Sequence, residues 1–246
     1  MISVIVPTMW KALEYTKPFL RVLDDHPLIG EILLIDNDST KKDDEFLQSL
    51  KKLNYWSFEE GNIFVNPAWN WGAKNAKHDK LFIINDDVLI NLSQLEKIYD
   101  EITPDKGMIG FSYLSYCTYT LDAYETLKNS GFGEDISFES IDPRKFPKNS
   151  GMPHPFYGSA YFIHKESYFQ IPKDFRIYYG DLYIYLCNLK KGNKNYMIED
   201  GLVMTQYSST VATSSFVKDI LNHEANVMKE VLAEHGLRNI RYQILN

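Results

Sequence analysis

The regular alternation of short apolar runs with amphipathic segments restricts the fold of this chain most. The apolar runs at residues 2–6, 31–35 and 80–84 have the length and β-branched content of buried strands, and the segments between them place apolar residues at helical spacing. Alternation of this kind is typical of βαβ units with parallel strands. The sequence therefore predicts an α/β fold with a mostly parallel central sheet flanked by helices.

The remaining elements are predicted from the same patterns. In the first half these are helices at 13–23, 44–53, 68–76 and 92–102, and strands at 62–65 and 108–111. In the second half they are a long loop at 131–153, strands at 158–163 and 197–198, and helices at 182–191 and 216–234. We predict a single domain over 1–246, with a first half (1–111), an irregular second half (112–215), and a C-terminal helix and tail (216–246).

Asn85-Asp86-Asp87 stands at the end of the apolar run 80–84 and is followed at once by a second apolar run. Two adjacent carboxylates at the tip of a buried strand repel each other and lose hydration. A divalent cation offsets that cost, and oxygen ligands suit Mg²⁺ or Mn²⁺, which commonly bridge to phosphate. The alternative is a turn that caps the next element, since Asn and Asp favour such positions.

Three polar clusters follow predicted parallel strands, namely Pro7-Thr8, Asp36-Asn37-Asp38 and Asp86-Asp87. Ligands of open α/β sheets bind at the carboxyl ends of the strands, and these side chains suit the ribose and base of a nucleoside. The chain has neither GxGxxG nor GxxxxGK[ST], which disfavours a dinucleotide fold and a P-loop NTPase. A diphosphate would then need another counter-charge, and a metal on Asp87 supplies it.

Composition narrows the functional classes. The net charge of −7 argues against a broad nucleic-acid-binding face. The two cysteines lack metal-site spacing and fit a reducing compartment. The first residues lack the features of a signal peptide, and no apolar run approaches the ~18 residues of a transmembrane segment. We therefore expect a cytoplasmic protein without a transmembrane segment.

Several short motifs follow one another along the chain, namely Ile5-Val6-Pro7-Thr8, Ile35-Asp36-Asn37-Asp38-Ser39, the stretch 66–73, Asn85-Asp86-Asp87, Tyr157-Gly158-Ser159-Ala160 and Gly180-Asp181. In this order they resemble the motifs of family-2-like glycosyltransferases of the GT-A fold. The resemblance covers roughly residues 2–210, and the small size and Pro-Thr-Met-Trp start are also similar to bacteriophage members.

The resemblance implies a role for each matching residue. The nucleotide-sugar site, in the half 1–111, would contain Pro7, Thr8, Asp36, Asn66, Asn70 and Asp86. Asp87 would bind Mn²⁺ or Mg²⁺ on the diphosphate, while Tyr157 and Gly158 would face the acceptor. Asp181 would be the general base of an inverting transfer. From the residues alone, Asp181 is more simply the N-cap of a helix.

The implied reaction moves a sugar from a UDP- or dTDP-linked donor to a saccharide or glycolipid, with a modified DNA base as a less favoured acceptor. Two departures from the family pattern bear on it. Gly180 stands where the family has Glu or Asp, and no His follows near 205–210 to complete the metal site, which leaves Gln206 as a weak substitute. The alternatives are a catalytically inactive nucleotide-sugar-binding module and a nucleotidyltransferase.

Overall fold

The structure is a computed structural model that describes residues 1–59, 61–116, 125, 136–141, 157–205 and 215–234. The strands are β1 (Ile2–Thr8), β2 (Ile29–Asp36), β3 (Leu53–Ser57), β4 (Lys80–Ile84), β5 (Val88–Ile90), β6 (Lys106–Tyr116), β7 (Ser137–Ile141), β8 (Ala160–His164) and β9 (Lys194–Thr205). The helices are α1 (Leu13–Asp25), α2 (Asp44–Gln48), α3 (Val65–Asn75), α4 (Leu95–Glu101), α5 (Gly180–Lys191) and α6 (Ser215–Glu234).

Within the described residues the strands form one sheet, in the order β3-β2-β1-β4-β8-β6-β9-β5, and β7 pairs with β9 beside β5. The pairings β3-β2, β2-β1, β1-β4 and β6-β9 are parallel. Because β8 is antiparallel to both β4 and β6, six strands point one way and only β5, β7 and β8 oppose them. The predicted α/β fold with a mixed, mostly parallel sheet is confirmed.

Helices cover both faces of the sheet because the strand residues alternate between two cores. Along β1, Val4 and Val6 pack in the core that includes α1 and α4, whereas Ile5 packs in the core that includes α3, α5 and α6. Every residue of β1 is buried, as expected for a strand covered on both faces. No helix in the described part of the chain has the length and apolar character needed to cross a bilayer.

One predicted helix of the first half is too long, and one predicted strand is wrong. The helix predicted at 44–53 ends at Gln48, and Leu53 begins β3, which is the edge strand of the sheet. Three of its residues are partly buried and two are exposed, and it lacks the continuous apolar run by which the other strands were identified. The strand predicted at 62–65 is not formed, because Val65 already begins α3 and Phe64 precedes it with φ of 68°.

In the second half, the short strand predicted at 197–198 is the middle of the twelve-residue β9. The loop predicted at 131–153 contains the strand β7, and the rest of that prediction lies outside the described residues except Ile136. Most residues of β7 are partly or fully exposed, so no hydrophobic pattern marks it. Strand β9 matters for the site because its last residue, Thr205, pairs with Val88 of β5, directly after Asp87.

Candidate active site

The ends of β1 and β4 are joined by hydrogen bonds to Asp86. The hydroxyl of Thr8 donates to Asp86 Oδ2 at 2.6 Å, and the backbone N–H of Met9 donates to the same oxygen at 3.3 Å. The hydroxyl of Thr16, on α1, donates to the backbone carbonyl of Asp86 at 2.8 Å. Two of the three polar clusters predicted to meet are therefore in direct contact.

The third cluster lies beside them at the end of β2. The backbone N–H of Asn37 donates to the carbonyl of Thr8 at 2.8 Å. Asp36 is 2% exposed, and its two oxygens accept from the Asp38 N–H at 2.8 Å and the Tyr55 hydroxyl at 2.6 Å. Each oxygen keeps a second lone pair for a ligand hydroxyl. Burial, together with the bond to Asp36, raises the pKa of Tyr55 to about 12, so this hydroxyl remains a donor at neutral pH.

The surroundings of Asp86 and Asp87 disfavour the charged form of both carboxylates. Burial raises the pKa of Asp86, although its bonds from Thr8 and Met9 oppose this effect. Burial and the neighbouring charge of Asp86 raise the pKa of Asp87 to about 6, against a lowering by a hydrogen bond with Thr205. Neither carboxylate caps the following helical turn, where Asn91 accepts from the Ser93 N–H instead. Asp86 and Asp87 lie in a turn between β4 and β5, in which the Val88 N–H donates to the Asn85 carbonyl at 3.3 Å, so the turn and the cation site both stay predictions for this segment.

Asn85 is held in one orientation and leaves an oxygen without a partner. Its backbone N–H donates to the Ser159 carbonyl and its side-chain Nδ2 to the Gly158 carbonyl, both at 3.0 Å. The amide oxygen, Oδ1, is buried and has no hydrogen-bond partner. A buried acceptor of this kind can take a water or an ion as its partner.

These groups fit a hard divalent cation with few protein ligands. Asp87 offers a carboxylate next to a second negative charge, and the unpartnered amide oxygen of Asn85 belongs to the same three-residue segment. Among the described residues no cluster of three or more His, Cys, Asp or Glu side chains could hold a metal by itself. Gln206 lies outside the described residues. A cation here would take its remaining ligands from diphosphate and water, as Mg²⁺ and Mn²⁺ permit.

Asp181 lies close to this segment although it is almost a hundred residues away in the sequence. A Cβ placed on Gly158 would be 3.3 Å from Asp181 Oδ2, and the Gly158 carbonyl accepts the bond from Asn85. The N-cap of α5 is Tyr179, with φ of 60°, so Asp181 is in the first turn and the predicted N-cap alternative is wrong. Gly158 thus links Asp181 to the segment that carries the carboxylate pair.

Packing explains why residue 180 is glycine. A Cβ at Gly180 would lie 2.2 Å from Asn66 Oδ1, which is too close for any side chain. Asn66 is 0% exposed and is fixed by the bond from its Nδ2 to the Tyr178 carbonyl at 3.0 Å. Asn66 therefore explains why position 180, which is acidic in the family, is glycine in this chain. The departure leaves Asp181 at the next position.

Three residues predicted to bind ligands have packing roles in the structure. Asn70 accepts from the Ile171 N–H at 2.9 Å and donates to the Ile171 carbonyl at 2.9 Å, so both ends of its amide hold residues far along the chain. Asn66 holds the same part of the chain and is fully buried. Tyr157 is 2% exposed and its hydroxyl donates to the Tyr196 carbonyl at 2.8 Å, which gives it a packing role, and its position toward an acceptor stays a prediction. Gly158, in contrast, is exposed.

Three contributors were not predicted from the sequence, namely Thr16, Tyr55 and Thr205. Each reaches an aspartate of the site from an element that is not adjacent to it in sequence. No local signal marks them, because a lone threonine or tyrosine in a helix or strand is ordinary. Pro7 was predicted to follow the first strand. It is instead the sixth residue of β1 and pairs with Ile35.

Comparisons with known proteins bear on the family and the fold. The sequence model described as glycosyl transferase family 2 matches residues 3–164, which include the strand ends and Gly158. A search of curated protein sequences finds no significant match.

Among solved structures, S. aureus TarS 1–349 is similar, with a TM-score of 0.58 and 15% identity, over 97% of this chain and 70% of that one. TarS 1–349 in complex with UDP-GlcNAc gives 0.56 and 14%, over 94% and 66%. GalNAc-T7 with UDP, GalNAc and Mn²⁺ gives 0.61 and 14%, over 96% and 50%. At such identities these similarities show the fold, which is that of GT-A glycosyltransferases. With the family match over most of its length, the chain belongs to glycosyl transferase family 2.

Proposed function

We propose that the protein transfers a sugar, with inversion, from a UDP- or dTDP-linked donor to a saccharide or glycolipid hydroxyl, in a reaction that depends on Mn²⁺ or Mg²⁺. The observation that best supports this is the approach of Asp181 to Gly158: a Cβ added at Gly158 would lie 3.3 Å from Asp181 Oδ2, and the Gly158 carbonyl accepts a bond from Asn85. This supports Asp181 as a base separate from the Asp86-Asp87 pair, for a displacement in which a diphosphate leaves.

The nucleoside of the donor would bind where β1 and β2 end. There Thr8 donates to Asp86, Asp36 accepts from Tyr55, and the Asn37 N–H donates to the Thr8 carbonyl. The nucleoside slot is therefore organised before a ligand binds. The solved complexes of TarS with UDP-GlcNAc and of GalNAc-T7 with UDP support a uridine nucleotide as the first donor to test.

Asp87 and the amide oxygen of Asn85 would hold the cation. When bound, it would neutralise charge on the departing diphosphate as a Lewis acid. Asp87, whose pKa is about 6, is mostly ionised at neutral pH and so available as a ligand. Asp86 has a different role, because Thr8 and Met9 already donate to its Oδ2 and it ties β1 to β4.

Asp181 would take the proton of the acceptor hydroxyl. The acceptor oxygen forms a bond to the anomeric carbon, the bond from that carbon to the diphosphate oxygen breaks, and its electron pair leaves with the nucleoside diphosphate. The position of Asp181 in the first turn of the twelve-residue α5 suits a negative group, since the N-terminal end of a helix has partial positive charge.

The acceptor and the location are inferred from composition. The net charge of −7 favours a saccharide or glycolipid over a base in DNA, whose phosphates would be repelled. With only two cysteines, we propose a cytoplasmic location.

The test is a set of UDP- and dTDP-sugars, each with and without Mn²⁺, followed by thermal shift and by product release with water as acceptor. We expect Mn²⁺-dependent stabilisation and release of nucleoside diphosphate. Asp181→Asn should keep the stabilisation and lose at least ~10²-fold in rate, within the range that a general base supplies. Binding without any product would identify an inactive binding module, and release of pyrophosphate would identify a nucleotidyltransferase. Either result would refute the proposal.

A further inference from the structure

A buried glutamate of the C-terminal helix holds the backbone that leads to Asp181. Glu224 Oε1 accepts from the N–H groups of Arg176 at 2.7 Å and Ile177 at 3.1 Å, and Oε2 accepts from the Tyr178 N–H at 2.7 Å. Glu224 is 0% exposed. One carboxylate thus binds three consecutive N–H groups of an irregular segment, 176–178, that has no sheet partner.

The opposite side of the same segment is held from α3. The backbone N–H of Asn66 donates to the Arg176 carbonyl at 3.0 Å, and Asn66 Nδ2 donates to the Tyr178 carbonyl at 3.0 Å. Segment 176–178 is therefore fixed between two helices. Glu224 of α6 accepts hydrogen bonds from its N–H groups, and Asn66 of α3 donates hydrogen bonds to its carbonyls. This arrangement defines the path of the chain on both sides.

The fixed segment leads directly to the proposed base. Tyr179 follows with φ of 60°, a left-handed conformation that an L residue adopts only where its surroundings enforce it. Gly180 then opens α5 against Asn66, and Asp181 is the next residue. Because Tyr179 and Gly180 are both constrained, a movement of segment 176–178 would also move the Asp181 carboxylate.

We propose that Glu224 is a positioning residue that sets the direction of the Asp181 carboxylate through its bonds to the backbone of 176–178. This inference rests on the proposed function of Asp181. Glu224 lies 43 positions beyond Asp181 and contacts no part of the Asn85-Asp86-Asp87 segment in the described residues. Its loss should therefore affect the chemical step and leave donor binding intact.

The test variant is Glu224→Gln, which keeps the size of the side chain but replaces one acceptor oxygen by an NH₂ group. At least one of the three N–H groups then loses its acceptor. We expect kcat for Mn²⁺-dependent release of nucleoside diphosphate from a UDP-sugar to fall about 10²-fold, the loss typical of a misplaced catalytic group. The donor KM and the thermal shift given by donor with Mn²⁺ should stay within about twofold.

Two control variants on the same helix separate positioning from general loosening. Glu230→Gln makes the same chemical change at an exposed position and should alter nothing. Met228→Ala removes a side chain that is 2% exposed in the core beneath α6, so it should lower Tm without the selective loss of kcat. An equal fall of kcat in Met228→Ala, or an unchanged kcat in Glu224→Gln, would overturn the positioning role.

Failure of the proposed function would look different. If the parent protein releases no nucleoside diphosphate, or if Asp181→Asn matches the parent, the base assignment fails and the role of Glu224 fails with it. If Asp181→Asn is impaired while Glu224→Gln is not, only the positioning role fails. If Glu224→Gln does not fold, Glu224→Asp is used, which retains the carboxylate but withdraws it by one methylene. If that variant also does not fold, Glu224 is a folding residue and the proposal is refuted.

Discussion

Replacing Asp87 by Asn should make the ligand-free protein more stable while abolishing its response to Mn²⁺ with donor. Asp87 is partly buried beside Asp86, and both features favour its neutral form. Asn is close to a neutral Asp in shape and can still accept the hydrogen bond from Thr205. The substitution therefore removes the costly charge at little cost in packing, and it removes the proposed cation ligand at the same time.

The magnitude follows from the pKa. A rise from 3.8 to about 6 corresponds to about 3 kcal/mol between the two protonation states. Because Asp87 is not completely buried, solvent reduces this to about 1–2 kcal/mol. A domain of this size gains ~2–4 °C in Tm per kcal/mol, so Asp87→Asn should melt about 2–8 °C above the parent at pH 7.5.

The pH dependence tests the cause. The raised pKa means that the folded protein binds more protons than the unfolded chain between pH 3.8 and about 6, so the parent loses stability as the pH rises through that window. The difference in Tm between Asp87→Asn and the parent should be small near pH 4 and reach its maximum above pH 6. Thermal scans at several pH values measure it.

A matched control is Asp25→Asn, at the exposed last residue of α1, which should show no such difference. In the parent, donor with Mn²⁺ at ~100 times its Kd should add about 2.7 kcal/mol, and Asp87→Asn should lose the Mn²⁺-dependent part of this gain. A ligand-free variant that is less stable than the parent at pH 7.5, or one with an unchanged Mn²⁺ response, would refute the reasoning.

Two further substitutions probe the surroundings of the site. Gly180→Ala places a Cβ against Asn66 Oδ1 and should destabilise the protein by ~1–3 kcal/mol in denaturant unfolding, and a smaller cost of the same change in an Asn66→Ala background would confirm the clash. Thr8→Val removes the hydroxyl that donates to Asp86 and accepts from the Trp10 N–H. It should cost ~1–3 kcal/mol and raise the donor KM, whereas an unchanged KM would show that the β1–β4 link is not needed for donor binding.

The sequence was sufficient for the parallel part of the sheet and for the meeting of its polar strand ends. Fully buried strands such as β1 and β4 have continuous apolar runs that indicate strand and burial together. Once β1, β2 and β4 are parallel neighbours, their carboxyl ends must coincide, which brings Thr8, Asp36 and Asp86 together. The half-exposed strands β3 and β7 lack that pattern and were missed for the same reason.

The direction of single polar side chains could not be predicted, because their partners are distant in sequence. Asn70 binds a backbone 101 residues away, and Glu224 binds backbones 46 to 48 residues away. In the sequence, Glu224 is one of several charged residues of an amphipathic helix, and only the docking of segment 176–178 buries it. The burial of Tyr157 could not be predicted either, since a motif position does not reveal which way its ring points.

The carboxylates of this protein differ in the hydrogen bonds that they accept. Glu224 accepts three backbone N–H groups and Asp24 accepts two, from Lys51 and Lys52. For Asp87, the bonds with its own backbone and with Thr205 only partly oppose the rise in pKa that burial and Asp86 cause. Buried charge without internal compensation is retained where an external partner supplies it. A cation for Asp87 and an acceptor hydroxyl for Asp181 are the partners that the proposed transfer requires.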